Sequence, residues 1–371
     1  MERVVNPESF EDTSRGMLED VLKEGHTLYD SLRPHMRDVN EKRALQILVV
    51  DDPNLNAEAR STADDDQIFL YRGTFEYIYG TMLALLCMPT FMPNVGDVGV
   101  EHVTPDFGVD GFPPMPFLLR NQRSSEPLAL CFPNDDARAQ YGYVLAGVAL
   151  SFLLAHEIGH VVGGHVSLLQ TITGTRFITE FQSANLDSDY QQLRRVIECD
   201  ADAFACHTSA FQYNNIEVAQ SLYEILRPKN WEAKYFALVT YITAISVLFR
   251  LLYPTAPASL LTPKSEYPHP AVRACVVCSW TLGRAMHNRY ITEDIADQVI
   301  GDSARKIEEV WIDLRLPGQY LDPVDVWARE VGNGTIELVK EHAAERTLLE
   351  KHARLPRRWD DWEWPNVKEP T

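Results

Sequence analysis

Two histidines and a glutamate stand close together in the sequence, as His156, Glu157 and His160. Residues four apart lie on the same face of an α-helix, so the two imidazoles can bind one metal ion. Glu157 lies about 100° around the helix from His156, where its carboxylate can reach a water on that metal without being a ligand. This His-Glu-x-x-His pattern predicts a zinc site that activates water, with hydrogen-bonded core histidines as the structural alternative.

The element that must position these residues is a helix over residues 139–162. Residues 144–155 form an apolar run without charge, which is typical of a buried helix. Gly163 and Gly164 predict the end of that helix. Because a buried helix has little reason to carry two histidines and a glutamate unless they are paired or bind a metal, the context favours the metal site.

A second predicted helix, over residues 189–210, carries the acidic side chains that could complete the site. Glu198 and Asp202 are four residues apart and share one face. The longer glutamate reaches further across a helix–helix gap of about 8–10 Å. The shorter aspartate suits a hydrogen bond to the free N–H of a ligand imidazole. We therefore expect Glu198 to be the third zinc ligand and Asp202 to support a ligand histidine.

His165 and Cys199 are the competing candidates for the third ligand. On a continued helix His165 would lie about 140° from His160 and point away, unless the chain breaks sharply at Gly163 and Gly164. We therefore expect it to support a ligand or the local structure. A thiolate from Cys199 would leave the acidic face of the second helix unexplained. Catalytic zinc sites use three protein ligands plus water, which favours two histidines and one carboxylate.

A small sheet is predicted upstream of the histidines. Residues 45–50 and 67–71 are apolar and β-branched or aromatic, and Asp51, Asp52 and Pro53 form a turn after the first run. We expect them to form a small antiparallel sheet at the active site, followed by an apolar helix over 75–87. An extended substrate could add to the edge of such a sheet as one more strand.

These segments together resemble a known family. The stretches ILVVDDPNLNAEA and IFLYRG, the His-Glu-x-x-His helix, and Glu198-Cys199-Asp200-Ala201-Asp202 are similar to the HtpX and CAAX-prenyl-protease family of zinc peptidases. The phage-exclusion Lit peptidase is a looser likeness. The resemblance covers roughly residues 45–87 and 139–280. It implies an α+β, predominantly α-helical zincin fold of the gluzincin type, with one Zn²⁺ held by His156, His160 and Glu198.

The family resemblance also implies roles for individual residues. Glu157 would be the general base, and the last acid of the second motif, Asp202, would contact a ligand histidine. The family has a His-Pro pair at the position of His269, our candidate neutral donor to the oxyanion. Family members carry an arginine about six residues after that histidine, whereas Arg273 is four residues after it, so no role is carried over to Arg273. A histidine at the position of His165 is common in the family without being a ligand.

Composition limits the partners. The formal net charge is −19, which repels phosphate backbones and anionic membrane surfaces, so we expect no nucleic-acid partner. The first residues lack the apolar core of a signal peptide, and the six cysteines form no tight framework. These features predict reduced thiols and a cytoplasmic location. The apolar runs 139–155 and 235–249 are shorter than the roughly 20 residues of a membrane span, so we expect buried core helices, with membrane association as the alternative.

The chain is predicted to have three parts. Residues 1–43 form an N-terminal helical layer, and residues 44–290 form the zinc metallopeptidase domain. A proline-rich and aromatic-rich insertion at 88–134 is either a lid on the cleft or a passive loop. Residues 291–371 form a helical extension with an acidic, tryptophan-rich tail. The predicted function is that of a zinc-dependent endopeptidase acting on a protein or peptide substrate. A non-catalytic, zinc-stabilised scaffold is the alternative.

Overall fold

Helices make up most of the structure, a computed structural model that describes residues 4, 12–37, 44–62, 65–102, 131–174, 177–179, 188–213, 216–252, 268–313 and 324–355. The α-helices are α1 (Asp12–Leu32), α2 (Arg72–Leu86), α3 (Asp136–Val162), α4 (His165–Thr173), α5 (Ser188–Tyr213), α6 (Ile216–Leu226), α7 (Ala233–Leu252), α8 (Pro270–His287), α9 (Glu293–Ile300), α10 (Lys306–Asp313) and α11 (Val324–His352). The strands are β1 (Leu45–Val50), β2 (Ala57–Ser61), β3 (Asp66–Tyr71) and β4 (Phe177–Thr179). The predominantly helical α+β prediction is confirmed at that level.

The strands form one mixed sheet in the order β1-β3-β2-β4. Strand β2 is antiparallel to both β3 and β4, but β1 is parallel to β3, so the prediction of an antiparallel sheet is wrong for that pair. The reason is that the chain leaves β1, crosses the end of β3 and only then enters β2. At the crossing, the N–H of Gly73 donates to the carbonyl of Asp52 at 2.9 Å, and a Cβ on Gly73 would lie 2.0 Å from the carbonyl oxygen of Pro53. The crossing therefore needs a glycine.

Helix α3 is surrounded by other elements, which explains its long apolar run. It packs against α1, α2, α5 and α7, and its side chains from Leu145 to Val162 are buried almost without interruption. Phe152 meets Phe249 of α7 edge to face, with ring centroids 5.8 Å apart. A helix that is apolar on all sides requires such an environment, since no face is left for water.

By length and composition, α3 and α7 could each cross a membrane. Within the protein, however, 83% of the most apolar window of α3 and 94% of that of α7 are buried. The two helices thus occupy the interior position that the sequence predicts for them.

We expect the protein to remain in the supernatant after ultracentrifugation of a detergent-free lysate, because the apolar faces of α3 and α7 are already covered by the chain itself. A tandem fusion to a known membrane span provides the control for sedimentation. Recovery of the unfused protein only in the membrane pellet would contradict the prediction.

The N-terminal end of α3 is fixed by one buried arginine. Arg138 has no exposed surface, and its guanidinium donates to five backbone carbonyls at 2.8–3.0 Å. The acceptors are Leu86, Met88, Phe91, Met92 and Val95. The described start of the predicted insertion is therefore wrapped around the N-terminal end of α3. His156 lies 18 residues further along the helix, about 27 Å away at 1.5 Å per residue.

The position of the insertion relative to the histidines is relevant to the prediction that it forms a lid. The described residues of the insertion, 88–102 and 131–134, lie at the end of α3 opposite to the histidines. Residues 103–130 lie outside the described residues, as does the tryptophan-rich tail over 356–371, so the predictions for both remain predictions.

The other end of α3 is capped by the segment that follows α11. The carbonyl of Val162 accepts from the N–H groups of Arg354 and Leu355 at 2.9 and 3.1 Å. Next along the chain, Gly164 adopts a left-handed conformation with φ of 69°, and a Cβ there would lie 1.9 Å from the carbonyl oxygen of His352. The chain can thus reverse directly beneath the C-terminal segment only because position 164 has no side chain.

Two glycine substitutions separate the cost of a side chain in the left-handed conformation from the cost of its clash with the carbonyl of His352. We expect Gly164→Ala to lower the free energy of unfolding by more than Gly174→Ala, which should cost about 1 kcal/mol. Both glycines are left-handed, but only Gly164 faces backbone, while nothing lies within 4 Å of a Cβ at Gly174. Urea denaturation of both variants measures the difference, and equal losses would show that the contact with His352 is unimportant.

Candidate metal centre

Helices α3 and α5 pack side by side and bring three potential ligands together. The Nε2 atoms of His156 and His160 are 3.0 Å apart. Oε2 of Glu198 lies 3.3 Å from the first and 3.7 Å from the second. In the described part of the chain, this is the group of histidine, cysteine, aspartate and glutamate side chains whose spacing could hold a metal ion.

The dimensions of this triangle fit a tetrahedral zinc ion. Zinc–nitrogen and zinc–oxygen distances of about 2.0–2.2 Å at tetrahedral angles separate two ligand atoms by about 3.3 Å. Each of the three side chains is at most 1% exposed. Neither oxygen of Glu198 accepts an aligned hydrogen bond within the described residues, so the buried carboxylate has capacity left for a ligand.

The imidazole of His156 is supported directly by a carboxylate. Its Nδ1 lies 2.9 Å from Oδ1 of Asp202, an ion-pair distance, although the two groups are not aligned as in a hydrogen bond. Arg273 of α8 donates from Nε and Nη2 to the two oxygens of Asp202, each at 2.8 Å. The carboxylate is therefore held in place by α8 while it faces the histidine, which is the position that the sequence predicts for Asp202.

The imidazole of His160 is supported by another histidine. The helix does break at Gly163 and Gly164, and α4 begins at His165, so this residue turns back instead of pointing away. Its Nδ1 lies 3.0 Å from Nδ1 of His160, on the side opposite to the metal triangle. His165 thus contacts a ligand and is not part of the triangle.

The proton positions that these partners demand favour a cation in the triangle. The neighbours of His160 assign its proton to Nδ1, which leaves a lone pair on Nε2, and the carboxylate of Asp202 near Nδ1 of His156 favours the same form of that imidazole. Two lone pairs facing each other across 3.0 Å repel, and a carboxylate oxygen adds negative charge beside them. A divalent ion between the three atoms would remove the repulsion, so the donor set fits zinc.

Burial and nearby cations set the charge states. Burial lowers the pKa of His160 to about 4, so its imidazole is neutral at physiological pH and available as a ligand. Burial raises the pKa of Glu198, but the neighbouring His160 and Arg194 outweigh it and hold that pKa well below its ordinary value. Because His160 is itself neutral, we attribute the ionised carboxylate mainly to Arg194 at 3.2 Å and to Arg273 at 3.7 Å.

Cys199 does not join the metal triangle. Burial raises the pKa of its thiol well above the ordinary value, and the charges of Asp202 and Asp200 raise it further. A metal ligand must be a thiolate, so this environment disfavours the thiolate alternative.

No family model, curated protein or solved structure matches this chain. The resemblance to zinc peptidases therefore depends on the sequence motifs, and the chemistry has to be argued from the side chains themselves.

The two remaining predicted residues occupy different positions. Glu157 is 1% exposed and follows His156 on α3. His269 is the N-cap of α8, where its Nδ1 accepts from the N–H of Ala271 at 3.1 Å. This bond places the proton of a neutral His269 on Nε2, the form that can donate to an anion.

Four residues near the centre had no predicted role. Arg194 lies four residues before Glu198, a spacing that could have indicated the ion pair. The arginine of the family pattern could have suggested Arg273. Asp200 was part of the second motif but was given no function. His342 lies 142 residues from its partner Asp200, and no local sequence pattern predicts their contact.

We expect the purified protein to bind one zinc per chain, measured by elemental analysis, because three buried donors converge. Glu198→Ala should abolish retention, and Asp202→Ala should weaken affinity by about 10–100-fold, as for other partners of metal-bound histidines.

Glu308→Ala provides the control, since it removes a partly buried carboxylate that pairs with Arg250 on α7, away from the triangle. Loss of zinc in the control, or full retention in Glu198→Ala, would contradict the assignment.

Proposed function

We propose that this chain is a zinc-dependent endopeptidase that hydrolyses peptide bonds. The observation that carries the proposal is the buried triangle of His156, His160 and Glu198, with Glu157 next to the first ligand on the same helix. Two histidines and one carboxylate are the ligands of catalytic zinc sites, whereas structural sites use four protein ligands and cysteine heavily.

Zinc in such a site supplies a Lewis acid and makes water nucleophilic at neutral pH. The carboxylate of Glu157 would accept the proton of the attacking water and later give it to the leaving amine. Asp202 and Arg273 would keep the imidazole of His156 in one orientation, so that its Nε2 remains available. The neutral Nε2–H of His269 is our candidate donor to the negative oxygen that develops on the substrate carbonyl.

A peptide substrate has to enter a site that is closed to solvent in this structure. His156, Glu157, His160 and Glu198 are each at most 1% exposed, so a peptide can reach Glu157 only after part of the surrounding chain moves. Within the described sheet, β4 is an edge strand and directly follows α4, which begins at His165. An extended peptide could add to this edge through backbone hydrogen bonds. The composition favours a cytoplasmic protein substrate, and a membrane-associated protease is the alternative within the enzymes.

The deep burial also favours a second candidate, a non-catalytic scaffold that is stabilised by zinc. Under that hypothesis a closed site needs no route for a substrate. Glu157 argues against the scaffold, because a structural site has no use for a buried carboxylate that is not a ligand.

We expect Glu157→Gln to retain zinc and to lose proteolysis, because the amide keeps the shape of the side chain but cannot accept the proton. Proteome-wide mapping of new peptide termini should show cleavage by the wild type and at least 100-fold less by the variant.

Glu58→Gln provides a matched control, since Glu58 is also a buried glutamate but pairs with Arg60 in the sheet. Equal zinc content with equal cleavage in wild type and Glu157→Gln would refute the role of the base. Absence of cleavage in both, together with a large loss of thermal stability on zinc removal, would support the scaffold.

A further inference from the structure

A chain of polar contacts leads away from the metal triangle, behind His160. Nδ1 of His160 lies 3.0 Å from Nδ1 of His165, and Nε2 of His165 lies 2.7 Å from Oδ2 of Asp200. The second oxygen of Asp200 lies 3.1 Å from Nε2 of His342, which belongs to α11. All four residues are at most 4% exposed, so bulk water does not compete for these contacts.

The protons along this chain have only one consistent arrangement when all three imidazoles are neutral. Asp200 is an acceptor, so His165 must carry its proton on Nε2 and has a lone pair on Nδ1. That lone pair requires the proton of His160 to be on Nδ1, which leaves Nε2 of His160 free for a metal. His342 donates its Nε2–H to the other oxygen of Asp200. The carboxylate thus determines, through His165, which nitrogen of His160 faces the triangle.

The two ligand histidines are therefore supported by different helices. His156 is supported by Asp202, which Arg273 of α8 holds through two hydrogen bonds. His160 is supported through His165 by Asp200, whose second partner is His342 of α11. Both carboxylates belong to α5, and each contacts a donor from a distant part of the chain.

Helix α11 does not depend on His342 for its position. Glu341 accepts two hydrogen bonds from Arg195 of α5, at 2.9 and 2.6 Å. Leu338 and Leu349 are buried, and the segment after α11 caps α3. The contact between His342 and Asp200 can therefore be removed while the helix stays docked.

We propose that His342 is a positioning residue for the metal centre, and that it acts through Asp200 and His165 on the ligand His160. The C-terminal helix then contributes to metal affinity without touching the metal. This inference rests on the proposed function only in that His160 is taken as a ligand.

The experiment compares three variants of the full-length protein by zinc competition with a chromophoric chelator. His342→Ala should weaken zinc binding about tenfold, the lower end of the range for residues that support a ligand. His342→Gln should restore most of the affinity, because its amide N–H₂ can occupy the position of Nε2–H. Glu341→Gln weakens a docking contact of the same helix one residue away and should leave the affinity unchanged.

The absorption spectrum of the cobalt-substituted protein is the second measurement, since its d–d bands report ligand geometry. We expect a shifted spectrum for His342→Ala and the wild-type spectrum for Glu341→Gln. If Glu341→Gln lowers zinc affinity as much as His342→Ala does, the effect is one of helix docking and the inference is wrong. Unchanged affinity and spectrum in a folded His342→Ala would also overturn it.

A third measurement separates this inference from the proposed function. In the metal-free protein, long-range proton–nitrogen NMR of the histidines reports which ring nitrogen carries the proton. His342→Ala should change the signals of His165 and His160, and Glu341→Gln should not. If the wild type binds no zinc, the proposed function and the effect of His342 on metal affinity both fail, while these signals still decide whether His342 orients His165 and His160. Unchanged His165 and His160 signals in His342→Ala would refute it.

Discussion

The candidate centre contains four carboxylates that almost no water reaches, those of Glu157, Glu198, Asp200 and Asp202. The structure around them is arranged to balance their charge. An ionised carboxylate is stable in such a place only when it is paired and hydrogen-bonded. Among the described residues, Arg194 pairs with Glu198, and Arg273 pairs with both Glu198 and Asp202. The same constraint explains why Asp202 and Asp200 of α5 meet donors from two other helices, Arg273 of α8 and His342 of α11.

Helix α3 can present its histidines to those acids because it is fixed at both ends. Arg138 holds the N-terminal end by donating to five buried backbone carbonyls of the segment that precedes it. The N–H groups of Arg354 and Leu355 hold the C-terminal end. They donate to the carbonyl of Val162 in place of the N–H groups that a further helical turn would supply. Between these points the helix is apolar on all sides, so packing leaves it little freedom to slide.

Local patterns were sufficient to predict most elements that carry the candidate centre. The apolar run and the glycine pair predicted α3 and its end, and the spacing of Glu198 and Asp202 predicted that both would face the histidines. The parallel pairing of β1 with β3 was missed, because strand order depends on how the chain crosses at Gly73 and not on the strands themselves. His342 was missed for a related reason: its partner is distant in sequence, and an isolated histidine on a polar helix carries no pattern.

The C-terminal segment has a consequence for how the protein is made. Arg354 donates to both oxygens of Asp66, a residue 288 positions earlier. At about 5–20 residues per second, a ribosome needs roughly 15–60 s to synthesise the intervening chain. In the last part of that interval, after residue 198 has been synthesised, α3 lacks its cap and Asp200 lacks His342, although the histidines and Glu198 are already present. The nascent chain therefore carries an incomplete centre until α11 docks, which would keep the proposed peptidase from acting while its own sequence is still unfolded beside the ribosome.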